Sequence, residues 1–150
     1  MASLPSPSVP VSWGELLDKI TILEIKRDRI TRPDARANVM REHSLLARFG
    51  SGVLRNAAVR QLFGRLKTVN ADLWDIEDAI RREEAAARFD DAFVRLARAV
   101  YHRNDERAAL KRAINLALDS ELIEEKSYAD LTPARSAPPV APPAPPAPAS

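Results

Sequence analysis

Between Ser12 and Leu118 the apolar residues recur at intervals of three and four, and no stretch alternates long enough to make a strand. A chain with that period buries its apolar faces by packing helix against helix. The expected fold is therefore all-α, an antiparallel bundle of about four helices. Three segments are expected: a disordered N-terminal segment at 1–10, a helical bundle at 11–131 and a disordered Ala/Pro-rich tail at 132–150. Ser3 to Pro10 carries three prolines among small residues, and "TPARSAPPVAPPAPPAPAS" is nearly all Ala and Pro. Proline fixes φ and has no amide hydrogen, so the tail cannot be regular helix or sheet. It has almost no bulky apolar side chain to offset the entropy of ordering it. The tail reads as a semi-stiff, polyproline-type spacer.

Local signals place the helix ends. Ser12 with Glu15 three residues later is a capping box, and Val11 can clasp Leu16. That helix should run to about Ile30. Thr31 or Arg32 should cap a second helix over residues 33–49, with Pro33 in its first turn. "GSG" at 50–52 should end it, because glycine readily takes the left-handed conformation. A third helix is expected over residues 54–87, with Gly64 marking a kink or a close crossing. Asp90 should cap the fourth, with Phe89 and Val94 as its staple, and that helix should reach about Leu118. "DSELIEEKSY" reads as a turn or an extended segment packing back on the bundle.

Charges interrupt every apolar stripe. Trp13, Leu16, Ile20, Leu23 and Ile30 align in the first helix, with Arg27 on the stripe and Glu24 at its edge. Ile22 and Ile25 lie opposite, as expected of a central helix. Asn38 and Glu42 interrupt the second stripe; Asn70, Glu77 and Glu84 follow one edge of the third; Asn104, Arg107 and Lys111 sit mid-stripe in the fourth. Arg27, Arg107 and Lys111 balance Glu24, Glu42 and Glu77 in sign. Buried charges are tolerated when paired, so one reading is a closed ion-pair layer. The other is a polar pocket between helices in which Arg27, Arg107 and Lys111 hold a small anion. Trp74, beside the third stripe, reads as core or subunit-contact packing.

Several function classes find no support. With no Cys, thiolate chemistry, disulfides and Cys-based zinc sites are excluded. His43 and His102 are lone histidines without the paired Glu-x-x-His units of a di-iron bundle, so no metal is expected. There is no Gly-rich phosphate loop or nucleophile elbow, and no cofactor is expected. The net charge is +2, and basic and acidic residues are interleaved ("IKRDR", "IRREE"), which reads as solvated helix surface rather than a nucleic-acid patch. No basic-then-apolar leader opens the sequence, and no stretch approaches the ~18–20 apolar residues of a membrane span, so the expected location is the cytoplasm.

The blocks "SWGELLDKITILEIKRDRI", "LWDIEDAIRREE", "FVRLARAVYHRNDERAALKRAIN" and "SELIEEKSY" resemble, in that order, a family of small bacterial proteins catalogued only as a domain of unknown function. The resemblance spans Ser12 to Tyr128 and implies no catalytic residues. It implies a faint association with bacterial surface-glycan synthesis. Glu24, Lys26, Trp74, Glu77, Asn104, Asp105, Arg107, Lys111, Asn115 and Glu124 to Tyr128 lie within its blocks. "LLDKITILEIKRDRI" is also similar in character to the first helix of all-helical chorismate mutases, but the cations that family has in its second helix do not line up here. The expected function is a non-enzymatic protein–protein interaction module with a protein partner or self-association. The alternative is a binder or enzyme for a small anionic metabolite at the polar layer.

Overall fold

A computed structural model describes residues 2–127. The tail at 132–150 and Tyr128 lie outside them. Four helices follow one another: α1 Trp13–Arg29, α2 Pro33–Gly50, α3 Ala57–Ala85 and α4 Asp91–Ala117. Among the described residues there is no strand, and those before Ser12 have no regular secondary structure.

The first-turn amides of α1 are held by side chains from both ends of the bundle sequence. Ser12 Oγ accepts from Glu15 N at 3.1 Å and Ser12 O from Leu16 N at 3.1 Å. The far end of the chain satisfies the other two: Trp13 N donates to Ser120 Oγ at 3.3 Å and Gly14 N to Asn115 Oδ1 at 2.6 Å. The three amides of the first turn, Trp13, Gly14 and Glu15, which have no intrahelical partners, are thus all satisfied. The capping box forms only in one direction. Glu15 does not return to the Ser12 amide, because its carboxylate binds Lys111 Nζ on α4 at 2.6 Å.

Two other boundaries and one interior glycine differ from the sequence expectation. Asn56 Oδ1 accepts from Ala58 N and Val59 N at 3.0 and 3.3 Å, so α3 begins at Ala57 and is preceded by a separate 3₁₀ turn, Val53–Arg55. Gly50 belongs to α2 and has no positive φ. A Cβ there would lie 2.9 Å from the Ile20 side chain, so this glycine permits close packing rather than a left-handed cap. Gly64 meets nothing within 4 Å, so it marks no close crossing. Gly14 does: a Cβ on it would strike the Lys111 carbonyl. At α4, Asp90 caps Ala92 N and Phe93 N at 3.1 and 3.2 Å, and Phe89 stands edge-on to Phe93 with centroids 5.2 Å apart.

Helix α1 touches all three others, whereas α2 packs chiefly on α1. The core joins Leu16, Leu17 and Ile20 of α1 to Val59, Leu66, Val69 and Leu73 of α3 and to Leu110 and Ile114 of α4. Each such side chain contributes about 1.5–3 kcal/mol of burial. The core stops at Leu73 and Leu110: from residue 74 to residue 109 not one side chain is buried. Residues 76–85 of α3 and 91–102 of α4 therefore form a two-helix arm of about 15 Å.

Candidate functional site

Three pairings set α1 antiparallel to α4: Gly14 with Asn115, Glu15 with Lys111 and Asp18 with Arg107. The missing side chain of Gly14 lets the helices approach closely enough for the two ion pairs to form. Glu15 and Asp18 stand three residues apart on α1, and Arg107 and Lys111 four apart on α4, so each pair lies on one helix face.

Asp18 is fully buried. Its Oδ1 accepts from Arg107 Nε at 2.9 Å and from Asn70 Nδ2 at 2.9 Å, and its Oδ2 accepts from Arg107 Nη2. Asn70 also donates to Thr21 Oγ1 at 2.8 Å, and Thr21 in turn donates to the Asp18 carbonyl at 2.7 Å. The two-pronged guanidinium–carboxylate geometry is the strong form of this pair. It raises the Arg107 pKa above its ordinary value. One step along α4, Lys111 Nζ donates to Glu15 Oε2 at 2.6 Å and to Glu124 Oε2 at 2.8 Å. Burial alone would lower the Lys111 pKa; the hydrogen bonds to Glu124 and Glu15 outweigh it, so the pKa is raised. Glu124 is pushed down to about 2 by Lys111 and by Lys126, whose Nζ lies 2.8 Å from its other oxygen.

Two cavities flank Arg107. The larger, about 810 Å³, runs along α4 and the C-terminal segment and is lined by Glu15, Tyr101, Asn104, Asp105, Lys111, Glu124 and Lys126 as well as Arg107. The smaller, about 230 Å³, lies where α1 meets α3, with Lys26, Trp74 and Glu77 beside Asn70, Asn104 and Arg107. Asn104 and Arg107 line both.

The structure brings together some of the expected residues and not others. Arg107, Lys111 and Asn104 meet at the cleft, and Glu77 reaches its smaller end, where it is 3.9 Å from Arg81. Arg27 is elsewhere: its guanidinium pairs with Asp28 at 3.2 Å, near the end of α1, where the stripe reaches water. Glu24 binds Lys67 at 3.0 Å and stands 3.7 Å from His43 Nε2, which makes no hydrogen bond. Glu42 is exposed on α2. The residues that complete the layer are instead Asp18, Thr21, Asn70, Glu15 and Glu124. The available signal was the spacing, three residues between the two acids on α1 and four between the two cations on α4, which puts each pair on one helix face. Trp74 is half-buried, with Arg29 5.8 Å from its ring centroid. Among the described residues, no cluster of three or more His, Asp or Glu could hold a metal ion, and no helix is long and apolar enough to cross a membrane.

Fold and cleft define a small all-helical protein with a charge-balanced polar layer opening on a groove. The chain belongs to a family of unknown function, DUF6165, whose model matches residues 8–142. No curated protein and no solved structure matches it.

Proposed function

We propose that this chain is a non-enzymatic protein–protein interaction module, and that the α3–α4 arm is the surface by which two copies associate. The observation that carries this reading is the run from residue 74 to residue 109 without a buried side chain, although it contains Ile76, Ile80, Phe93, Leu96 and Val100. All five are only half covered within one chain, and Phe89, Val94 and Tyr101 are exposed. Two helices cannot enclose an apolar seam; four can. The charges suit a second copy. On the arm, α3 carries four acids against two arginines, and α4 carries two arginines against one acid. A two-fold pairing that lays α3 of one copy beside α4 of the other is self-complementary. The link to bacterial surface-glycan synthesis rests on the sequence resemblance alone.

Size-exclusion chromatography with light scattering tests the reading. A dimer at tens of micromolar is expected, and Phe89→Glu with Val94→Glu should return a folded monomer. A monomeric wild-type chain at that concentration refutes the self-association.

A second reading is favoured by one observation, the groove beside Lys111 and Arg107: the polar layer binds a small anionic metabolite. An increase in melting temperature with millimolar carboxylates, sugar phosphates or nucleotide sugars would support it. Its chorismate-mutase-like form loses its main support with Arg27, which lies away from the groove.

A further inference from the structure

Past Ala117 the chain turns through Asp119, whose φ is 49°, and runs back along α4. Ser120 is the last well-anchored residue of this return. Its amide donates to Asn115 O at 2.8 Å, and its hydroxyl accepts from Trp13 N and donates to Leu122 O at 2.7 Å. Residues 121–127 are all exposed, and Leu122 and Ile123 remain 43% and 38% accessible, so apolar burial holds them only in part. Ion pairs add to it: Glu124 with Lys111, Glu125 with Arg112 at 3.1 Å and Lys126 with Glu124. Solvent-exposed pairs of this kind contribute little each.

Lys111 is the exception to that exposure. Its side chain is only 9% accessible, and its ammonium bridges two carboxylates of unequal standing. Glu15 is fixed on α1, the helix that packs against all three others. Glu124 sits on the loosely held strap and, like Glu15, lines the groove. Beside it, Arg107 spends Nε and Nη2 on Asp18, while Nη1 has no acceptor among the described residues. Without Glu124 this end of the groove would present Lys111, still paired with Glu15, together with Lys126, the free edge of Arg107 and Asn104, with Asp105 also on its lining.

We propose that these cations form a seat for a carboxylate or phosphate group, and that Glu124 occupies the seat as an internal stand-in that such a ligand displaces, freeing the strap. The idea rests on the small-anion reading above. The stand-in acts at the high effective concentration of a tethered group, so a free competitor binds weakly while Glu124 is present.

The chain has no cysteine, so a nitroxide on Ile123→Cys reports strap motion from a single site. Calorimetry and spin-label spectra are taken with citrate and with inorganic phosphate, against sodium chloride of equal ionic strength. The two anions separate a carboxylate seat from a phosphate seat. Millimolar binding of at least one is expected, with a sharpened spectrum that sodium chloride does not reproduce. Glu124→Gln should bind that anion about tenfold more tightly, and its spectrum should be sharp without ligand. Equal affinity for wild type and Glu124→Gln, or binding with no spectral change, overturns the displacement while leaving the small-anion reading standing. Sharpening by sodium chloride alone to the same degree also overturns it, since screening then frees the strap. If neither protein binds either anion at tens of millimolar, both the seat and the reading beneath it fall.

Discussion

The Asp18 carboxylate and the Arg107 guanidinium meet across 89 residues of sequence, with Arg107 Nε donating to Asp18 Oδ1 at 2.9 Å. Asp18 has no access to water, and Arg107 and Asn70 supply the hydrogen bonds to its carboxylate. Arg107→Ala leaves that carboxylate buried with its counter-charge gone and should cost about 3–5 kcal/mol in chemical denaturation. Arg27→Ala removes only a surface pair with Asp28 and should cost less than about 1 kcal/mol.

Two glycine-to-alanine changes should have opposite signs. At Gly14 the new methyl meets the Lys111 backbone, which cannot swing aside, so Gly14→Ala should destabilise by about 1–3 kcal/mol or more. Gly64 lies in an exposed stretch of α3 with nothing within 4 Å. Gly64→Ala should stabilise by about 0.5–1 kcal/mol, because alanine loses less backbone entropy in a helix. Thermal and chemical melts of the two variants check both signs.

The cap supplied across the bundle should be stronger at Asn115 than at Ser120. Asn115→Ala leaves the Gly14 amide buried without its 2.6 Å partner and should cost about 1–3 kcal/mol. Ser120→Ala removes a longer, part-buried bond to Trp13 N at 3.3 Å and should cost less. Equal losses for the two would contradict the assignment of Asn115 as the principal cap.

Acidification should free the strap only well below the ordinary carboxylate range. Glu124 falls from an ordinary value of 4.5 to about 2 through its bonds to Lys111 and Lys126. A carboxyl group lowered in the folded state contributes stability that is fully present above 4.5 and is lost as pH falls towards about 2. Carboxyl chemical shifts of Glu124 should titrate near the lower end of that window, with strap mobility rising in step. A Glu124 midpoint at 4.5 would mean that the ion pairs do not form in solution.

The helices were legible because their signals are local. Ser12 and Asp90 act within three residues of themselves, and the stripes that bury Leu16, Ile20, Leu66 and Ile114 follow from neighbours three and four apart. The polar layer was only half legible. Arg107 and Lys111 announced themselves by interrupting an apolar stripe, but Asp18 did not. It adjoins Leu17 in a helix that packs against three others, and such a helix has little solvent face against which a buried acid stands out. Arg27 failed for the complementary reason: a stripe position near a helix end need not be covered.

Four helices, most of their ends and the residues each could turn inward follow from local sequence, since backbone geometry over a few residues sets them. The tertiary structure alone decided that Gly14 rests on α4, that Asp18 rather than Glu24 meets Arg107, and that Glu124 returns to Lys111. Those pairings depend on how one helix is rotated and placed against another, which the collective packing of the core fixes and no short stretch of chain encodes.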